Sequence, residues 1–211
     1  TQVTTTKELM DDETLAKLDI DCVVLKHTDE ECKRIKKYTY AEELNYIVSH
    51  TKRNKFIENL CKTIKGNTLV LFQLVDKHGV LLHNEIKKLD KKVFFVYGGT
   101  TTETREKIRG IVEKEKDSLI IASYGTFSTG INIRNINNIV FASPSKSKIR
   151  VLQSIGRGLR KMENKSVVRL FDIADNASYK SRQNFTYRHF TERLNIYKGE
   201  NFNYKVSRVN L

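Results

Sequence analysis

Two arginines beside two glycines make Gln153-Ser154-Ile155-Gly156-Arg157-Gly158-Leu159-Arg160, with Lys161 behind it, the stretch best equipped for chemistry. Arg157 and Arg160 are three apart, so on a helix both guanidiniums leave from one face. Glycine lets another backbone or a ligand approach closely, and arginine supplies a fixed, always-charged fork that suits phosphate oxygens. The combination fits a group delivered to a phosphate from outside, as an arginine finger is. On spacing alone it also fits a basic helix end, where Arg157, Arg160 and Lys161 would complement the C-terminal dipole.

Two further stretches carry small polar residues at the ends of apolar runs. Gly98-Gly99-Thr100-Thr101-Thr102 follows Val93-Phe94-Phe95-Val96-Tyr97, and Ser123-Tyr124-Gly125-Thr126 follows Leu119-Ile120-Ile121-Ala122. In an open parallel sheet, ligands collect outside the carboxyl ends of the strands. Backbone N–H groups at Gly98-Gly99 could hold a phosphate against a helix N-terminus; an ordinary strand-to-helix turn would look the same.

The elements that position these stretches read clearly from about Asn67 onward. Strands are expected at 68–72, 93–97, 119–122, 138–141 and 167–171, with helices at 80–89, 101–115 and 149–160 between them. Continuous apolar strands alternating with helices imply a parallel sheet covered on both faces, an α/β fold. Before this, 40–49 and 52–64 carry helical spacing and 20–25 reads as a short strand, followed by a charged connector to about Lys37. An opening helical segment is expected before that strand, and its Asp11-Asp12-Glu13 reads as a solvated acidic face. At the other end, 179–197 reads as a long basic helix, with a last strand near 202–206. The domain reading is therefore a connector over 1–38 and one α/β domain over 39–211.

A chain of 211 residues with 39% hydrophobic residues can bury one normal core. No apolar run approaches the ~18 residues of a membrane span, so no membrane partner is expected. No signal peptide opens the chain, and its start at Thr1 reads as a cut from something longer. Three cysteines, Cys22, Cys32 and Cys61, cannot all pair, which points to a reducing cytoplasm. Cys22-x4-His27-x4-Cys32 lacks a fourth ligand, so no metal site is assigned. Charge is uneven: 1–145 hold 23 basic and 20 acidic residues, whereas 146–211 hold 15 and 5, which places +10 of the +13 net charge in the last third. A basic surface attracts a polyanion through counterion release. The aromatics interleaved there, such as Phe171, Tyr187, Phe190 and Tyr197, are expected to pack inward.

The eight residues of the opening stretch match the Q-x-x-G-R-x-x-R pattern of superfamily 2 helicases. Ile120-Ile121-Ala122-Ser123-Tyr124-Gly125-Thr126-Phe127-Ser128-Thr129-Gly130-Ile131-Asn132-Ile133 resembles the preceding motif of that family, one strand and a turn away. The wording Phe141-Ala142-Ser143-Pro144-Ser145-Lys146-Ser147 is similar to the recombination helicases among them, and the likeness runs from about Thr39 to Asn203. The resemblance implies a RecA-like fold, specifically the second, C-terminal motor domain. It implies ATP with Mg²⁺ as cofactor, with Arg157 and Arg160 reaching its γ-phosphate and Gln153 closing the interface. Gly130, Asn132 and Gly156 join the nucleotide side. Asn132 departs from the aspartate common in relatives, which removes a charge at the expected ribose contact. The resemblance places Gly99, Thr100, Ser123 and Thr126 on the DNA backbone, supported by Arg105; a purely structural turn at 123–126 is the alternative. The implied partners are DNA, branched or in RNA–DNA hybrids, and an N-terminal motor domain of the same polypeptide.

One absence belongs to the residues themselves. No G-x-x-x-x-G-K-[ST] occurs, so no loop and lysine cradle the β- and γ-phosphates, and no carboxylate stands out to hold Mg²⁺. Such a chain is half of an ATPase, inactive alone.

Overall fold

The computed structural model describes residues 17–126, 135–144 and 167–211. In chain order the elements are β1 (Lys17–Lys26), α1 (Asp29–Ile35), α2 (Tyr40–Ser49), α3 (Thr51–Thr63), β2 (Thr68–Phe72), a π-helical turn (Val75–Gly79), α4 (Val80–Ile86), β3 (Lys92–Val96), α5 (Thr102–Val112), β4 (Ser118–Ser123), β5 (Asn138–Phe141), β6 (Val167–Asn176), α6 (Phe185–Gly199) and β7 (Asn203–Asn210). The seven strands form one sheet in the order β3-β4-β2-β5-β6-β1-β7. Every pairing is parallel.

The continuous apolar runs become strands buried on both faces: every residue of β2, β4 and β5 is buried. Successive side chains then feed two cores. Leu69, Leu71, Ile120 and Ala122 join one with Val112 of α5 and Phe190 and Tyr197 of α6. Val70, Phe72, Leu119 and Ile121 join the other with Ile57 of α3 and Leu82 and Ile86 of α4. The RecA-like α/β sheet with helices on both faces is present as expected. The aromatics of the basic third do pack inward, with Phe190 and Tyr197 almost fully enclosed.

Several elements differ from the reading of the sequence, four of them in ways that bear on the site or the core. β1 runs ten residues rather than six and lies inside the sheet, between β6 and β7, so the segment read as a connector supplies a strand of the core. The charged stretch after it contains α1, opened by a capping box in which Thr28 Oγ1 accepts from the Glu31 N–H and Glu31 accepts from the Thr28 N–H. β6 extends to Asn176 because Asp172 and Asp175 are buried within it. α6 begins at Phe185, not Tyr179: Tyr179 and Arg182 exchange backbone hydrogen bonds in a turn that puts Lys180 at φ 54°. The opening acidic stretch and the helix expected at 149–160 lie outside the described residues.

A candidate nucleic-acid and nucleotide interface

The turns after β3 and β4 adjoin at the carboxyl edge of the sheet, since Val96 pairs with Ala122 in register. After β3 the chain closes on itself in both directions. The Thr100 N–H donates to the Tyr97 carbonyl at 2.9 Å, and the Tyr97 N–H donates to Thr100 Oγ1 at 3.0 Å. Gly99 lets the exposed Tyr97 ring lie against the turn, since a Cβ there would stand 2.7 Å from that ring and displace it. Thr101 Oγ1 then accepts from the Thr104 N–H and opens α5. Arg105, one turn in, reaches the Tyr97 and Gly98 carbonyls at 3.4 Å each and braces the turn. Gly98 and Gly99 remain exposed at the start of a helix, where N–H groups and the dipole favour an anion.

After β4 the two predicted hydroxyls meet each other. Ser123 Oγ and Thr126 Oγ1 are 2.7 Å apart, and the Thr126 N–H donates to Ser123 Oγ at 3.3 Å. Both residues are buried, so they close the turn and leave Gly125 as its exposed point. Tyr124, between them, donates its hydroxyl to the Ser143 carbonyl at 3.1 Å. That bond joins the turn after β4 to the segment after β5, and Ser143 carries it further. Its Oγ accepts from the Gln73 N–H at 3.1 Å and lies 2.7 Å from His78 Nδ1 in the π-helical turn. His78 is fully buried, and burial, then the Arg53 charge, push its pKa well below the usual histidine value. It is a neutral imidazole. Gly79 follows it because a Cβ there would stand 2.5 Å from the Phe72 ring.

Beneath these loops lies a buried ion pair. Arg53 of α3, fully buried, donates from Nε to both Asp175 oxygens at 2.9 Å and from Nη2 to the Ala142 carbonyl at 2.7 Å. Burial alone would raise the Asp175 pKa; the Arg53 charge and the His27 hydrogen bond overcome it and hold the carboxylate below its usual range. Nearer the centre of β6, Asp172 takes a bidentate pair from Arg193 at 2.8 and 2.9 Å and the Tyr197 hydroxyl at 2.8 Å. Both aspartates are thus committed to arginines.

Sequence reasoning missed this network. Arg53 is one of several basic residues on a helix, and nothing local marks it as buried. Of the predicted residues, Gly99, Thr100, Arg105, Ser123 and Thr126 are brought together on two neighbouring turns. Gln153, Gly156, Arg157, Arg160, Gly130 and Asn132 lie outside the described residues. The Cys22-His27-Cys32 set does not gather as ligands: Cys22 sits in the first core and the Cys32 thiol faces the His27 carbonyl at 3.7 Å.

The chain matches the helicase conserved C-terminal domain over residues 51–162. It is 37% identical to the ATP-dependent DNA helicase UvsW of Enterobacteria phage T4 over 98% of its length, and it spans 44% of that protein. It overlays the crystal structure of T4 UvsW with a TM-score of 0.83 at 35% identity, over 99% of this chain and 42% of that one. The C-terminal domain of the DEAD-box protein Dbp5 shares the fold, with a TM-score of 0.56 at 12% identity over 94% of this chain and 92% of that domain. The family match covers more than half of the chain, and the likeness to UvsW covers nearly all of it. The chain belongs to the helicase conserved C-terminal domain family, the second RecA-like domain of superfamily 2 helicases.

Proposed function

We propose that this chain is the C-terminal motor domain of an ATP-dependent DNA helicase that unwinds or branch-migrates recombination and replication intermediates. The observation that carries the proposal is the match to T4 UvsW over 98% of the chain, taken with Gln153-x-x-Gly156-Arg157-x-x-Arg160 in the matched region. ATP and Mg²⁺ are held mainly by an N-terminal motor domain of the same polypeptide, since this chain has no phosphate loop. Gly130, Asn132 and Gly156 line the nucleotide side of the cleft, Arg157 and Arg160 reach the γ-phosphate, and Gln153 helps close it.

DNA lies across the exposed turns at Gly99-Thr100 and Gly125, with Arg105, Ser123 and Thr126 holding those turns in shape. Closing and opening of the cleft step the two domains along the strand. The substrate is branched DNA or an RNA–DNA hybrid, and the setting is a cytoplasm, that of a bacterial host if the source is a phage. Among the described residues no helix is long and apolar enough to cross a membrane. A double-strand DNA translocase subunit, or a non-catalytic nucleic-acid module of this fold, is the alternative reading.

The test uses the intact polypeptide and the isolated chain. The isolated chain should hydrolyse no ATP above background. In the intact protein, Arg157→Ala and Arg160→Ala should each lower single-turnover hydrolysis on saturating DNA by roughly 10³–10⁵, with ATP affinity and melting temperature little changed. Lysine should rescue poorly, because a point charge does not reproduce the planar fork. Wild-type turnover from both alanine variants would end the arginine-finger assignment, and strand displacement by the parent separates helicase from translocase.

A further inference from the structure

The end of β1 and the helices α1 to α3 bring two histidines and a glutamate together, away from the loops just described. The ligand-capable atoms of His27, Glu31 and His50 all lie within 4.8 Å of one another. His50 Nε2 is 2.8 Å from Glu31 Oε1, and His27 Nδ1 is 3.7 Å from Glu31 Oε2. Tetrahedral zinc, with bonds of roughly 2.0–2.2 Å, sets its ligand atoms about 3.3 Å apart, and those two separations bracket that spacing.

The buried histidine is the informative one. The His27 side chain is fully enclosed, and its Nε2 faces Asp175 Oδ1 at 3.2 Å. Its Nδ1 is buried, has no hydrogen-bond partner among the described residues, and lies 3.7 Å from the Glu31 carboxylate. A carboxylate behind one ring nitrogen is the usual way a metal-binding histidine is oriented. Asp175, itself locked by Arg53, keeps the proton on Nε2 and leaves the Nδ1 lone pair facing the cluster. Glu31 is an anion: burial raises its pKa, but hydrogen bonds from His50, Thr28 and Tyr46 bring it down to about 2. Glu31 and His50 are 18% and 11% exposed, which leaves a mouth for an ion to enter.

We propose that His27 Nδ1, His50 Nε2 and the Glu31 carboxylate form a binding site for one divalent transition-metal ion of the zinc class, with water completing the coordination. The donor set decides the class. Two imidazoles and one carboxylate suit Zn²⁺, Co²⁺ or Ni²⁺, whereas Mg²⁺ takes oxygen ligands and water. The site is therefore independent of the Mg²⁺ that accompanies ATP. Loading asks for one tautomer change. In the metal-free protein His50 Nδ1 accepts the Arg53 N–H at 3.2 Å, so Nε2 carries the proton and donates it to Glu31. With metal on Nε2 that proton resides on Nδ1, and a long cap bond is exchanged for a coordinate bond. The ion would pin α1 and the start of α3 to the end of β1, beside the Arg53–Asp175 pair.

The experiment is a titration of the chelator-stripped 211-residue chain with Co²⁺, followed by ligand-field absorption and calorimetry, then displacement by Zn²⁺. One equivalent should bind with the intense absorption of a four-coordinate site, Zn²⁺ should displace it, and a hundredfold excess of Mg²⁺ should not. Glu31→Gln retains a capping acceptor for Thr28 and should weaken Co²⁺ binding at least tenfold; its melting temperature should fall, so a parent-like circular-dichroism spectrum at the titration temperature checks that the fold is kept. His50→Gln is the second variant and should weaken Co²⁺ binding likewise, with the same check that it is folded. Absence of stoichiometric binding by the parent, equal affinity in both variants, or displacement by Mg²⁺ would each overturn the site.

Discussion

Asp172 and Asp175 are three residues apart on β6, face opposite sides of the sheet, and are both fully buried, yet they are neutralised in different ways. Asp172 shares the face of Leu170 and Ala174 and meets Arg193, 21 residues later, with Tyr197 one turn further along the same helix. Asp175 shares the face of Phe171 and Ile173 and meets Arg53, 122 residues earlier, with His27 from the end of β1. Among the described residues, the contacts of the first pair bolt α6 to the sheet. The second pair joins the sheet to loops, because Arg53 also holds the Ala142 carbonyl and His27 leads on to Glu31. One strand thus uses the same side chain once to fasten the scaffold and once to hold the loops of the carboxyl edge.

Replacing whole pairs would break that comparison most sharply. Arg193→Met and Arg53→Met should each lower the unfolding free energy by about 3–5 kcal/mol, since each strands a buried aspartate. The combined Asp172→Leu, Arg193→Met and Tyr197→Phe change should recover most of that loss, because a fully apolar replacement of a buried pair is commonly neutral or better. Asp175→Leu with Arg53→Met should not recover, since the Ala142 carbonyl and His27 lose their partners too. Urea unfolding of the five proteins decides. Equal recovery in both would show that the two networks are alike.

A smaller effect is expected where α6 begins. Glu43 of α2 is buried and accepts from the Phe185 N–H at 3.0 Å, the Thr186 N–H at 2.7 Å and the Thr186 hydroxyl at 2.9 Å. It is a carboxyl group set at a helix N-terminus, where acidic side chains are favoured, and it is supplied from 142 residues away. Glu43→Ala should cost about 1–3 kcal/mol through unpaired buried donors, and Glu43→Gln clearly less. Denaturant midpoints give the ranking.

These contacts also explain what the sequence could and could not reveal. The strands of continuous apolar residues were legible almost to the residue: 138–141 is as expected, and 68–72 is β2 itself. The two helices before them were legible from spacing. β6 was cut short in the reading at Phe171 because an aspartate inside an apolar run reads as a strand end, and the arginines that permit it come from other elements. α6 was started too early because its cap comes from Glu43, not from its own flank. The missed α1 had a local signal in Thr28-x-x-Glu31, and its charge hid it. Of the site, glycines and hydroxyls at strand ends were legible; that Ser123 and Thr126 would bond to each other was not.

Acid should separate the two aspartate networks further. The folded His78 stays neutral well below 6.5, whereas the unfolded one takes up a proton, so stability should fall as pH drops through 6.5. The slope from one such group is at most about 1.4 kcal/mol per pH unit. A second loss should follow below about 4.5 and continue towards 2, where Glu31 protonates in the folded state and its stabilising bonds go. Both groups lie on the Asp175 side. Unfolding curves across pH should therefore lose the upper limb in His78→Gln and the lower one in Glu31→Gln. A wild-type profile in both variants would place the acid sensitivity elsewhere.

The smallest expected change tests whether the two networks communicate. Tyr124 lies between them: burial raises the pKa of its phenol first, nearby Asp172 next, and its hydroxyl donates to Ser143, whose side chain meets His78. Tyr124→Phe keeps the ring against Phe141 and removes one hydrogen bond. The expected stability cost is about 0.5–1.5 kcal/mol, well below that of either arginine. The informative readout lies in the Thr126 and Ser143 amides. If the bond couples the turn after β4 to the segment after β5, hydrogen exchange should speed up at both in Tyr124→Phe, while amides of α6 stay as they were. Faster exchange in α6 instead would mean that Tyr124 belongs to the network around Asp172 and plays no part in joining the two loops.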